Sequence, residues 1–330
     1  MIAKRPLYAV FFLVLAVTSC GKSPTEQGII SNNNPNACGE VSPDAECHTL
    51  SFGGLDRAYL LHVPANFQAK SSALIIALHG SQGSGLRLSQ TSGLTAEADQ
   101  KGFAVVYPFS LVSPGAGFTE WNEFYNHSFG TAAPDDVGFI RQLIVTLQAQ
   151  ISPDPKKIFV TGLSNGGMMA HRIGVQLSDL VAAIGVIEGT LISPGDPATV
   201  PPAVAPVSVL IIHGDQDPTV PCCSSPPVAS QEDTFDYWAG PSANACTTVD
   251  TNQSICDGVG TETSLPEKAA TGCRGNTEVR FYRLQGGVHL WYTNPMNVPG
   301  VTPYNPDFNS VTGVTTDDIL WNFFSTHPKA

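Results

Sequence analysis

Hydrophobic positions along this chain fall into two rhythms. Ala73–Gly80 (ALIIALHG), Phe103–Pro108 (FAVVYP) and Lys157–Gly162 (KIFVTG) are short, nearly continuous apolar runs. Runs of that length, bounded by turn residues, predict strands buried on both faces of a sheet. Val181–Gly189 (VAAIGVIEG), Val207–Gly214 (VSVLIIHG) and Glu278–Gln285 (EVRFYRLQ) are further strands, and Arg57–Pro64 (RAYLLHVP) alternates like a half-exposed one. Helices are predicted over Leu86–Gly102, Asp135–Gln150, Asn165–Leu177, near Glu232–Ala239, and over Thr316–Phe324. The second of these places apolar residues at helical spacing behind acidic ones, which favour the positive end of a helix. Buried strands alternating with amphipathic helices predict an α/β fold with a mostly parallel sheet covered on both faces. Cys222–Cys273 breaks the rhythm with loop-rich, Ser/Thr-rich sequence, and is expected to be an insertion near the sheet's carboxyl edge. One domain with a decorated rim is the expected organisation.

The N-terminus follows a different logic. Lys4 and Arg5 precede an apolar run from Leu7 to Val17, too short to span a bilayer and suited to a signal-peptide core. The residues that follow, Val17-Thr18-Ser19-Cys20-Gly21, resemble a bacterial lipobox, which implies cleavage after residue 19 and acylation of Cys20. Residues 20–36 have too little apolar material to fold and are expected to be a tether. The folded body is expected to span 37–330, exported and held on a membrane through the lipid on Cys20.

Composition narrows the partners. The chain is 42% hydrophobic, enough for a large core, and only 13% charged, with 31 glycines and 26 prolines. Net charge is −12 and the basic residues form no dense cluster, so a nucleic-acid partner is not expected. Eight cysteines fit an oxidising compartment. Cys38 with Cys47 would close a short N-terminal loop, and Cys246 with Cys273 would staple the insertion before the last strand. Cys256 could then pair with Cys222 or Cys223, leaving one thiol free. Cys-x-x-Cys spacing is absent, which disfavours zinc, and no other metal site is indicated.

Ligand sites in open parallel sheets lie outside the carboxyl ends of the strands, and three polar positions fall there. Ser164 follows the strand ending at Thr161, inside Gly162-Leu163-Ser164-Asn165-Gly166. Asp215 and Asp217 follow the strand ending at Ile212, and His289 follows the strand ending near Leu284. A serine hydroxyl becomes a nucleophile when an imidazole takes its proton and a carboxylate fixes that imidazole's tautomer. The chain order Ser, Asp, His is that of the α/β-hydrolases. Of the two aspartates, Asp217 is favoured because His213-Gly214-x-x-Asp217 resembles the acid loop of many such enzymes, while Asp215 would cap the turn. The oxyanion-hole candidates are the backbone N–H groups of Asn165, directly after the serine, and Ser81, in the turn after ALHG. The glycine-rich segment Gly80–Gly85 lacks the Gly-Lys-Ser/Thr of a phosphate loop.

Taken together, LHGSQGSG, VVYP, Trp121-Asn122, DDVGFI, GLSNGGMMA, HGDQDPTVP and GGVHLW resemble the esterase family of polyhydroxybutyrate depolymerases and bacterial feruloyl or acetylxylan esterases. The resemblance runs in order from about Ala37 to the C-terminus. It implies a single-domain α/β-hydrolase with Ser164, Asp217 and His289 as its triad. It also implies a disulfide before the last strand, in keeping with Cys246–Cys273. The chain departs from the family in having Ser81 where a cysteine is frequent, Phe109 where an acid is frequent, and VHLWYTN where GGHTWPG is frequent. These differences bear on substrate rather than on the bond cleaved.

The expectation is therefore a secreted serine carboxylic ester hydrolase working without metal or organic cofactor. Its substrate would be a feruloyl or acetyl ester on polysaccharide, or a polyhydroxyalkanoate oligomer. Trp121 and Trp291 are candidates for stacking on that substrate. Trp238 and Trp321 are expected in the core, His79 and His213 as structural hydrogen-bond partners, and His171 as a polar helix position. A prolyl-oligopeptidase-like peptidase would need a gating domain for which 330 residues leave no room. A non-catalytic binding lipoprotein on a hydrolase fold would be expected to have lost a triad member, and none is lost.

Overall fold

The structure, a computed structural model, describes residues 44–113, 116–125, 134–191, 200–223, 229–249, 255, 267–284, 286–293 and 315–330. The expected signal, tether and Cys20 lie outside the described residues, as does Cys38.

Strands β1 (Glu46–Phe52), β2 (Leu55–His62), β3 (Leu74–Leu78), β4 (Ala104–Pro108), β7 (Ile158–Leu163), β8 (Ala183–Ile187), β9 (Ser208–Gly214), β10 (Thr248–Val249), β11 (Glu267–Thr271) and β12 (Val279–Leu284) form one sheet. A separate ribbon pairs β5 (Leu111–Val112) with β6 (Thr119–Glu120). The large sheet runs β1-β2-β4-β3-β7-β8-β9-β12-β11-β10. Its centre, from β4 to β12, is parallel, and both ends are antiparallel. The expected mostly parallel α/β sheet is what the chain forms.

Side chains alternate between the sheet's two faces. On β3, Leu74, Ile76 and Leu78 join one core, shared with α3 (Asp136–Gln150), α4 (Asn165–Gln176) and α5 (Gln231–Ala239). Ile75 and Ala77 join the other, shared with α1 (Gly85–Thr91), α2 (Leu94–Lys101) and α6 (Thr316–Thr326). Burial on both faces explains why these strands carry no polar alternation.

Several expectations are corrected. The single helix over Leu86–Gly102 is two, broken at Ser92-Gly93, where the Gly93 N–H donates to Asp317 Oδ2 at 3.2 Å. The Cys222–Cys273 insertion is not wholly outside the sheet, since β10 and β11 extend it beyond β12. The Cys246–Cys273 disulfide is formed there. Cys222 is a buried free thiol, whereas Cys223 and Cys47 are disulfide-bonded. His171 is fully buried and accepts the Trp238 indole N–H at 3.0 Å, so it belongs to the core. Trp238 is fully buried and Trp321 half-buried, stacked on Phe103.

Candidate active site

Ser164 stands between β7 and α4 with φ 57° and ψ −123°, a left-handed conformation rarely adopted by a non-glycine residue. The flanking glycines do more than permit a turn. A Cβ on Gly162 would lie 2.3 Å from the Gly166 carbonyl oxygen, and one on Gly166 would lie 2.2 Å from the Leu78 carbonyl oxygen. Strand β7, helix α4 and the end of β3 are thus packed backbone to backbone around this serine. Its own N–H donates to the Ile187 carbonyl at 2.9 Å, which fixes the turn against β8.

Gly80, in the turn after β3, runs alongside: a Cβ built there would be 3.3 Å from Ser164 Cβ and 4.0 Å from its Oγ. Ser81 follows directly and is exposed. Beneath this turn, His79 Nδ1 donates to the Gly80 carbonyl at 2.8 Å and Nε2 accepts from the Ser110 N–H at 3.1 Å. Burial lowers the His79 pKa to about 4, so the ring is neutral and serves the backbone.

Asn165 turns its side chain inward. Oδ1 accepts from the Trp121 N–H at 2.7 Å, and Nδ2 donates to the Trp121 carbonyl at 3.1 Å and to Glu123 Oε2 at 2.8 Å. Burial raises the Glu123 pKa to about 8. Trp121 is fully buried, with its indole N–H given to the His79 carbonyl at 2.9 Å. Trp291 is also buried and donates to Asp317 Oδ1 at 3.0 Å. Neither tryptophan presents a free face for stacking; both brace the loops that carry the polar residues.

Asp217 and His289 meet across two loops. His289 Nδ1 donates to Asp217 Oδ2 at 2.6 Å, while Asp217 Oδ1 accepts from the N–H groups of Thr219 at 2.7 Å and Val220 at 2.9 Å. Burial acts to raise the Asp217 pKa. The hydrogen bond and charge of His289 and the two amides outweigh that effect and hold it below the ordinary value. With Nδ1–H committed to Asp217, His289 Nε2 carries the lone pair and can accept a proton. His213 is fully buried; its Nε2–H donates to the Val220 carbonyl at 2.8 Å and its Nδ1 accepts from Gln231 Nε2 at 2.9 Å.

The two loops are locked together. Gly214 and Gly287 touch so closely that a Cβ on Gly214 would lie 2.3 Å from the Gly287 carbonyl. Gln216 N–H donates to the Gly287 carbonyl at 2.9 Å, and Asp215 Oδ1 accepts the Gly286 N–H at 2.7 Å. The histidine loop is also tied to α6, where the Thr316 N–H donates to the Tyr292 carbonyl at 2.9 Å.

Among the buried acids that escaped the sequence reading are Glu123 and Glu188. Glu188 is fully buried and accepts the Gly214 N–H on both carboxyl oxygens at 3.0 Å. Its carboxyl, Asp217 and His289 offer ligand atoms within 4.8 Å of one another. Both Asp217 oxygens and both Glu188 oxygens already accept hydrogen bonds from protein groups. A carboxyl at the end of VAAIGVIEG, where the other strand residues are apolar, was the available signal.

Comparison with known proteins places this geometry in a family. A family model described as "Esterase PHB depolymerase" matches residues 57–205. The "Putative esterase NocK" of Nocardia uniformis subsp. tsuyamanensis is 31% identical over 301 residues, covering 84% of this chain and 81% of that protein. "Acetylxylan esterase A" of Aspergillus ficuum is 28% identical over 129 residues, 39% of this chain and only 41% of that protein. Among solved structures, an acetyl xylan esterase from Aspergillus awamori shares the fold with TM-score 0.51 at 20% identity, over 74% of this chain and 94% of that one. The structure titled "Crystal Structure of sOPH Native" does so with TM-score 0.55 at 17% identity, over 88% and 89%. Motifs, fold and the breadth of the Nocardia match together show that the chain belongs to the PHB-depolymerase esterase family of α/β-hydrolases.

Proposed function

We propose that this esterase is a serine carboxylic ester hydrolase that works through an acyl-enzyme. The observation that carries the reading is the 2.6 Å bond from His289 Nδ1 to Asp217, which leaves Nε2 as a base, on a fold that holds Ser164 in a strained strand-to-helix turn. Ser164 Oγ attacks the ester carbonyl while His289 Nε2 takes its proton. Asp217 stabilises the imidazolium. The amides of Asn165 and Ser81 stabilise the tetrahedral oxyanion. The imidazolium returns the proton to the departing alcohol oxygen as the C–O bond breaks, and water, deprotonated by His289, then releases the acid.

For substrate we propose acetyl or feruloyl esters on oligosaccharides, with polyhydroxyalkanoate oligomers as the competing class; the likeness to acetylxylan esterases supports the first. We further propose export and anchoring through acylated Cys20, which rests on the N-terminal sequence alone. No helix of the described residues is long and apolar enough to cross a membrane.

The test is hydrolysis of p-nitrophenyl acetate by the protein beside Ser164→Ala, followed by methyl ferulate, acetylated xylan and polyhydroxybutyrate. Ser164→Ala should be inactive, and equal turnover would remove Ser164 from the mechanism. Membrane fractionation of the full chain against Cys20→Ala tests the anchor, and a soluble full chain would refute it.

A further inference from the structure

Behind the Asp217–His289 pair lies a carboxyl group that the esterase mechanism does not use. Glu188 directly follows β8 with φ 49°, a left-handed conformation that a non-glycine residue rarely adopts. Its N–H donates to the Ile212 carbonyl at 3.0 Å, and the preceding residue, Ile187, accepts the Ser164 N–H. Glu188 therefore stands directly between the Ser164 turn and the loop that carries Asp217. Its two oxygens accept the Gly214 N–H, at the start of that loop.

A carboxyl so placed beside a buried carboxylate keeps its proton. Burial first, and then the charge and hydrogen bond of Asp217 over the opposing Gly214 N–H, push the Glu188 pKa well above the ordinary range. A buried carboxylic acid needs an acceptor for its O–H. His213 is not one, although its Nε2 is 3.5 Å from Glu188 Oε2, because that nitrogen already bears the proton it gives to Val220. Asp217 Oδ2 lies 3.5 Å from the same His213 nitrogen, and the Glu188 and Asp217 carboxyls offer oxygens within 4.8 Å of each other. Among the described residues Asp217 is the acceptor that remains.

We propose that Glu188 is a positioning residue for the Asp217–His289 pair, giving its carboxylic O–H to Asp217 while clamping the acid loop through the Gly214 N–H. This rests on the serine esterase reading of the same site. The groups facing Glu188 are Asp217 and His213 from β9 and its loop, Cys222 further along, and His289 from the loop after β12. Arg283 and Asp215 act on Cys222 from the side. Burial holds His213 down at about 4 and Cys222 up at about 12, so neither changes charge between those limits.

The experiment compares Glu188→Gln and Glu188→Met with the wild type, all as the full chain. The amide of Glu188→Gln can accept from Gly214 and donate to Asp217. It should fold, keep near-wild-type kcat, and leave the acid limb of the kcat/KM profile unmoved. Were Glu188 anionic, removing its charge would lower that limb by about one pH unit, and such a drop overturns the proposal. Glu188→Met should lose about 100-fold in kcat with KM little changed, because the pair is misaligned rather than the substrate released. Wild-type kcat in Glu188→Met, or a Glu188→Gln that fails to fold or is as slow as Glu188→Met, also overturns it. A readout free of turnover is the far-downfield proton resonance of His289 Nδ1–H, identified by its loss in His289→Ala. It should persist in Glu188→Gln and vanish in Glu188→Met even if Ser164→Ala should prove fully active; persistence in both refutes the role of Glu188 alone.

Discussion

Asp215 and Asp217, two positions apart on one loop, grip the histidine loop at different points: Asp215 Oδ1 accepts the Gly286 N–H at 2.7 Å, and Asp217 Oδ2 accepts His289 Nδ1–H at 2.6 Å. The first bond holds backbone and the second orients a ring. Asp217→Asn puts an amide against His289 and should lower kcat on p-nitrophenyl acetate by about 10³–10⁴-fold, since the wrong tautomer is then favoured. Asp215→Asn keeps a carbonyl acceptor for Gly286 and should cost about fivefold, the worth of one weakened neutral bond. Steady-state kinetics of the two variants, with the larger loss in Asp215→Asn, would reverse the assignment.

The glycines around Ser164 are fixed by contact, so their replacement acts on folding. Gly162→Ala and Gly166→Ala each place a methyl group inside a backbone carbonyl's van der Waals shell. Each should lower the unfolding free energy by about 3 kcal/mol, as overpacking does where the neighbour is main chain. Urea titration measures this directly. Wild-type stability in either variant would mean that β7 and α4 can part without penalty.

Asp317 predicts a pH dependence of stability. Burial above all raises its pKa from 3.8 to about 7, partly offset by the Trp291 indole N–H. Its unfolded form therefore loses a proton first as pH rises. The contribution of Asp317 to stability therefore falls between pH 3.8 and about 7 and levels off above. Asp317→Asn cannot ionise, so its stability relative to the wild type should rise across that window, on top of a constant offset. Thermal or urea unfolding of both proteins over the range checks the slope, and a pH-independent difference would refute it.

Two adjacent cysteines should answer a thiol probe in opposite ways. Cys222 is buried, free and held up by burial at about 12, so it is neither accessible nor ionised in the native protein. Cys223 is disulfide-bonded. Iodoacetamide followed by peptide mass mapping should leave Cys222 unmodified until denaturant is added, and Cys223 unmodified until a reductant is added. Labelling of Cys222 in the native protein would show that its surroundings open.

The central strands were legible because burial on both faces writes them as unbroken apolar runs, as in Leu74–Leu78. The turn at Ser164 was legible because its close contacts admit only glycine at 162 and 166. Strand β1 was not, because it lies at the sheet's end with much of it exposed, and ECHTLSF has no apolar signature. The break between α1 and α2 was hidden because Gly93 is held by Asp317, a partner from the far end of the chain. Trp121 looked like a substrate platform because aromatic residues near a mouth and in a wall are written alike; only its bond to His79 separates the two. Glu188 passed as the end of a strand because its partners, Gly214 and Asp217, come from a neighbouring strand and loop.

The contact between Gly214 and Gly287 has a bearing on motion. Strands β9 and β12 are neighbours in the sheet but far apart in the chain, and their loops would ordinarily drift independently as the rim breathes. Joined at two glycines with no side chain between them, the loops are expected to shift together, so that a displacement of one carries the other and the Asp217–His289 bond keeps its length.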